Sequence, residues 1–117
     1  MKIGTDIIQI SRIEKMIDKY GDTFKKKYLT PSEIIMAKKI STLAGLWAAK
    51  ESISKALGCG ICSDLTFQDI IISKSPKGAP VFHLSEKAQK IHHITDSSLS
   101  ISHDGGFAIA VVAVTTK

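Results

Sequence analysis

The stretch "LWAAKESISKALG", residues 46–58, decides how this chain is read. Its small and apolar residues run at helical spacing up to Gly58, a residue that commonly stops helices. Yet Lys50, Glu51, Ser54 and Lys55 crowd together beside Trp47, Ile53 and Leu57. A surface helix spreads such groups over its solvated side. The segment is therefore either an ordinary solvated face or a site. Glu51 and Lys55 are four residues apart and share one helical direction. Lys50 and Glu51 diverge by about 100° and cannot. The plain alternative is a surface ion pair between Glu51 and Lys55.

Outward from this helix, the first half reads as a strand followed by helices. Residues 2–10 alternate as a strand, with Asp6 on an otherwise apolar stretch. A helix is expected from Ser11, with Glu14 completing a capping box and Gly21 ending it. Its apolar stripe is Ile13, Met16, Ile17 and Tyr20, while Arg12, Lys15 and Lys19 recur at spacings of three and four. "TPSE", residues 30–33, is a second helix start, and Ser41 starts the helix quoted above.

The second half reads as β-structure. "LTFQDIIIS" (65–73) is a predicted strand, "KSPKGAP" (74–80) a turn and "VFHL" a short strand. A short helix is expected from Ser85 to about Ile94. "SLSISH" (98–103) alternates strictly and "FAIAVVAV" (107–114) is nearly all apolar, so "HDGG" joins them as a hairpin. The predicted class is α+β, a mostly antiparallel sheet packed against helices.

At 117 residues the chain suits a single domain, 1–117. A hydrophobic fraction of 44% and a charged fraction of 23% are those of a folded soluble domain. No apolar run approaches the roughly 20 residues of a membrane helix. The opening "MKIGTDIIQI" makes a poor signal peptide, so the cytoplasm is the expected compartment and no membrane partner is expected. The net charge of +5 favours an anionic partner. Nucleic acid is not expected, because no helix-turn-helix or basic–aromatic interleaving accompanies that charge. Cys59 and Cys62 read as plain thiols, since zinc would need two further ligands and His92 and His93 are badly spaced for it.

Asp6, Glu51 and His103 each stand where a charge or a polar ring meets packing unless something pairs it. Two carboxylates with Lys50 and Lys55 nearby could hold Mg²⁺ and the phosphates it bridges. Spacing alone does not bring these residues together.

Three stretches in order resemble one family, the small bacterial holo-[acyl-carrier-protein] synthases, which are 4′-phosphopantetheinyl transferases. They are "GTDIIQISRIE" (4–14), "WAAKESISKALGCGI" (47–61) and "SLSISHDGGFAIAVV" (98–112). "TPSE" and "SKSPKGAPVFHL" also fit, so the resemblance covers nearly the whole chain. It implies transfer of 4′-phosphopantetheine from coenzyme A to a serine of apo-acyl carrier protein, in fatty-acid biosynthesis, with release of 3′,5′-ADP. Asp6 and Glu51 would bind Mg²⁺, and Lys55 and Lys50 would steady the phosphates. Ser54 and Gly58 would lie by the nucleotide and His103 by the coenzyme A 3′-phosphate. Glu51 is the implied activator of the serine hydroxyl, directly or through a water on the metal. The family's homotrimer, with sites at subunit interfaces, would set Lys77, Gly78 and Pro80 over the adenine of a neighbour's site. Arg12, Lys15, Met16 and Lys19 would dock the acidic carrier protein. Leu46 stands where the family often has Arg, and Cys59 where it usually has Thr. The runner-up is a non-catalytic basic module that binds an acidic protein or nucleic acid.

Overall fold

The computed structural model describes residues 1–117. The chain opens with β1 (Lys2–Gln9), which runs straight into α1 (Ile10–Tyr20). No side chain caps α1. The Ile10 N–H donates instead to the Gly106 carbonyl at 2.9 Å. The capping box expected at Ser11 and Glu14 is therefore not formed: a tertiary acceptor satisfies the helix start, and Ser11 lies inside the helix.

Gly21, at φ 58°, turns the chain directly into α2 (Asp22–Tyr28), a short helix that the sequence reading passed over. It buries Phe24 and Tyr28, one turn apart. α3 (Pro31–Met36) carries the expected capping box, with Thr30 accepting from the Glu33 N–H and Glu33 accepting from the Thr30 N–H. α4 (Ile40–Ala56) starts one residue before Ser41 and without a side-chain cap. It is buried on most of its circumference, as suits a central helix.

Phe67–Asp69 is a 3₁₀ turn rather than strand, because Thr66 and Asp69 form a second capping box that coils the backbone before β2 (Ile70–Lys74). Burial alone would raise the Asp69 carboxyl, but hydrogen bonds from Ser85 and Thr66, with Lys87 beside it, hold it at about 2. β3 (Pro80–Leu84) pairs antiparallel with β2. α5 (Glu86–His92) is capped by Ser85 as expected. β4 (Ile94–Asp104) and β5 (Phe107–Thr116) form the predicted hairpin across Gly105 and Gly106, both at positive φ.

The strands form two antiparallel sheets, β1–β5–β4 and β2–β3, so the α+β reading holds. One face of the larger sheet packs on α4. Ile8, Leu99, Ala108, Ala110, Val112 and Val114 from that face join Leu43, Leu46, Ala49 and Ile53 of the helix in one core of 23 buried hydrophobic residues. The helix approaches β1 so closely that a Cβ on Gly4 would collide with the Ser52 carbonyl oxygen. That close approach positions the candidate site.

Candidate active site

Asp6 lies two residues beyond Gly4 in β1 and so shares its helix-facing side. Glu51 and Lys55 lie one turn apart on α4. The Lys55 ammonium donates to Asp6 Oδ1 at 2.9 Å and to the Thr5 carbonyl at 3.2 Å. The Asp6 side chain is only 14% exposed, against 53% for Lys55. Burial pushes the Glu51 carboxyl up. The Asp6 charge pushes it further, while Lys55 pulls it back. The structure thus brings Asp6, Glu51 and Lys55 together, as two mutually repelling carboxylates and one lysine at the water boundary.

Excess negative charge of this kind fits a hard divalent cation, which takes one or two carboxylates and fills its remaining positions with water or phosphate oxygens. No cluster of three or more His, Cys, Asp or Glu residues is present, so the two carboxylates are the protein's whole offer there.

Lys50 corrects the sequence expectation. It is fully buried, and its three ammonium protons go to Glu33 Oε1 at 2.7 Å, the Tyr28 carbonyl at 2.7 Å and the Phe67 carbonyl at 3.0 Å. It points away from Glu51, as the helical geometry required, and has no donor left for a phosphate. Burial pushes its ammonium down, and the hydrogen bond and charge of Glu33 oppose that shift. Ser54 is likewise buried and donates to the Glu51 carbonyl at 2.7 Å, so its hydroxyl is engaged within the helix. Gly58 follows the last turn of α4, its N–H donating to the Lys55 carbonyl at 3.0 Å.

A separate groove of about 200 Å³ brings Gly78 and Pro80 together with His103. Ser41, Thr42, Ser73 and Lys74 also border it, setting hydroxyls and a cation beside the apolar Met36, Leu46, Ile72 and Ile101. The sequence reading missed these four. In the sequence Ser41 marks a helix start and Lys74 a turn, and the basic, Gly/Pro-rich 74–80 segment is the available signal. Lys77 is exposed and does not line the groove, and neither do Asp6, Glu51 and Lys55. Asp6 and Ile101 both pair with Ala110, and His103 lies one same-face position beyond Ile101. Asp6 and His103 are therefore roughly 12 Å apart by strand spacing. Within one chain the carboxylate cluster and the groove are therefore separate.

Arg12, Lys15 and Lys19 are exposed on α1. Arg12, Lys15 and Met16 edge an apolar groove floored by Ile8, Ile13, Phe24 and Trp47. Lys19 lies 5.2 Å from the Tyr20 ring centroid. Leu46 is buried core, and Trp47 stacks among Phe24, Tyr28 and Phe67, so the segment before Ala48 is used for packing. Cys59 and Cys62 are unlinked.

A model of the 4′-phosphopantetheinyl transferase superfamily matches residues 2–112. The chain is 64% identical over 114 residues to a holo-[acyl-carrier-protein] synthase of Sulfurovum sp. (strain NBC37-1), covering 97% of this chain and 96% of the relative. The crystal structure of the Helicobacter pylori holo-[acyl-carrier-protein] synthase in complex with coenzyme A superimposes with a TM-score of 0.93 at 50% identity, over 97% of this chain and 99% of that one. The synthase of Bacillus anthracis in complex with coenzyme A (3′,5′-ADP) gives 0.83 at 36% identity, over 99% and 96%.

Proposed function

Because the chain belongs to the 4′-phosphopantetheinyl transferase superfamily, we infer that it is a holo-[acyl-carrier-protein] synthase that moves 4′-phosphopantetheine from coenzyme A to a serine of apo-acyl carrier protein. The serine oxygen forms a bond to the pantetheine-bearing phosphorus of the pyrophosphate. The bond from that phosphorus to the bridging oxygen breaks, and 3′,5′-ADP leaves. The observation that carries the site assignment is the Asp6–Glu51–Lys55 cluster, whose repelling carboxylates call for a cation.

Asp6 and Glu51 would hold Mg²⁺, which when bound offsets the charge on the breaking pyrophosphate. Lys55, held by Asp6 and the Thr5 carbonyl yet half exposed, would steady the phosphates. Glu51, directly or through a water on the metal, is the candidate acceptor of the serine proton. Ser41, Thr42, Lys74 and His103 would bind the nucleotide with Gly78 and Pro80 along its edge. The basic rim and apolar floor at Arg12, Lys15 and Met16 fit an acidic carrier protein, and charge would steer that encounter.

The two half-sites lie apart within one chain, which favours an assembly that joins one subunit's cluster to a neighbour's groove. The outer face of the larger sheet supports this: Ile3, Ile7, Phe107, Ile109 and Val111 are exposed there, a large apolar area for a monomer to leave in water. We place a homotrimer on that face, each whole chain, 1–117, folding as one unit. We place the activity in the cytoplasm, where charge confines coenzyme A. No helix is long and apolar enough to cross a membrane.

Intact mass spectrometry tests the reaction. The protein, coenzyme A, Mg²⁺ and an apo-acyl carrier protein are expected to yield carrier heavier by one phosphopantetheine, and a chelator is expected to stop the gain. No gain with several apo carriers would instead favour a basic binding module.

A further inference from the structure

The buried pair Lys50–Glu33 has no part in the chemistry above, yet few groups in the chain are so fully engaged. Both side chains are 0% exposed. Glu33 Oε1 accepts from Lys50 Nζ and from the Thr30 N–H, each at 2.7 Å, and Oε2 accepts from the Ile72 N–H at 2.7 Å. Lys50 adds the Tyr28 and Phe67 carbonyls. One ion pair therefore ties four pieces of backbone to α4: the end of α2, the start of α3, the 3₁₀ turn and β2.

The α4 anchor of the pair adjoins the carboxylate cluster, and one of the four ties ends at the groove. Lys50 is the residue before Glu51, so holding Lys50 fixes the rotation of α4 at the turn that presents the Glu51 carboxylate. Ile72 lines the nucleotide groove and leads into Ser73 and Lys74, which also line it. Burial of two opposite charges costs desolvation that an apolar pair avoids, so the stabilisation here lies in the four backbone hydrogen bonds rather than in the charges themselves. What the pair adds is direction, because each hydrogen bond fixes a donor and an acceptor in one geometry.

We propose that Lys50 and Glu33 are positioning residues, holding the helix that presents Glu51 and the strand that walls the nucleotide groove in one fixed relation. This rests on the transferase reading. In a ring of like subunits, the relation inside each chain sets how the cluster of one meets the groove of the next.

The test is the double variant Lys50→Met/Glu33→Leu, which replaces the pair by apolar groups of similar size. It is expected to fold with reduced stability, because the Tyr28 and Phe67 carbonyls and the Thr30 and Ile72 N–H groups lose these partners. Its kcat is expected to fall roughly 10²-fold, the scale of a misplacement near 1 Å, with KM for coenzyme A raised. KM for the carrier protein should change less than KM for coenzyme A, because none of the pair's hydrogen bonds ends on α1, whose basic face would dock it. A folded double variant with wild-type kcat and KM values would reduce the pair to packing and overturn the proposal. If that variant fails to fold, Glu33→Gln, which keeps the volume and loses the charge, is read by the same split and the same contrary result. Failure of the wild type to transfer would sink the function reading without touching the pair. Calorimetry with 3′,5′-ADP then decides: weaker binding by the folded variant supports positioning, and equal binding overturns it.

Discussion

Glu51 is the residue on which stability and activity pull in opposite directions. Burial first, and the Asp6 charge second, raise its carboxyl in the folded chain. The folded state thus binds that proton more tightly than the unfolded chain. The stabilisation this gives is full below the unfolded carboxylate range and is lost as pH rises through the raised folded value. At neutral pH the ionised Glu51 is a burden on the metal-free fold. Glu51→Gln is therefore expected to abolish transfer while melting no lower than wild type without Mg²⁺. Added Mg²⁺ should raise the wild-type Tm by binding the folded state and leave the variant's unchanged. A variant that melts well below wild type would make Glu51 a structural residue. At this scale the sequence showed Asp6, Glu51 and Lys55 as charges set against apolar neighbours. It could not show the true partner of Lys50, because Glu33 lies 17 residues away on another helix.

Among the elements, the meeting of β1 and α4 makes the site, and Gly4 permits it. Any side chain there would enter the space of the Ser52 carbonyl. Gly4→Ala is expected to cost about 1–3 kcal/mol, the usual range for forcing volume into a packed contact. It should also weaken Mg²⁺ binding, so that turnover needs more Mg²⁺, by moving Asp6 off Glu51 and Lys55. Chemical denaturation and a Mg²⁺ titration of turnover check both; a variant with wild-type stability would show that strand and helix part freely. Local signals were legible wherever they decide the outcome. Thr30 and Glu33 cap α3 and Ser85 caps α5 as their sequence implies, and Gly105–Gly106 make the hairpin. They failed where tertiary partners or rival local signals took over. Gly106 rather than Ser11 serves the start of α1. The Thr66–Asp69 box outweighed the strand-like composition of "LTFQD". α2 has seven residues, too few to stand alone, and depends on burying Phe24 and Tyr28, so only that one-turn spacing announced it.

On the scale of the whole molecule, the proposed shared site rests on two features that stay apart in one chain. The carboxylate cluster and the groove face the same helix from different strands and do not merge within a chain. The apolar outer face at Ile7, Ile109 and Val111 offers the surface on which copies could meet. Neither feature was legible as such in the sequence, since alternation in β1 and β5 tells which residues share a face but not which face is left bare. The most direct measurement mixes two inactive variants, Glu51→Gln and His103→Ala, under conditions that exchange subunits. If each site takes its carboxylates from one chain and its groove from the next, about a quarter of the sites in a randomly mixed trimer regain both intact halves. Transfer activity should return towards that fraction on mixing. Mixed assemblies as inactive as their parents would contradict the shared site and return both half-sites to a single chain.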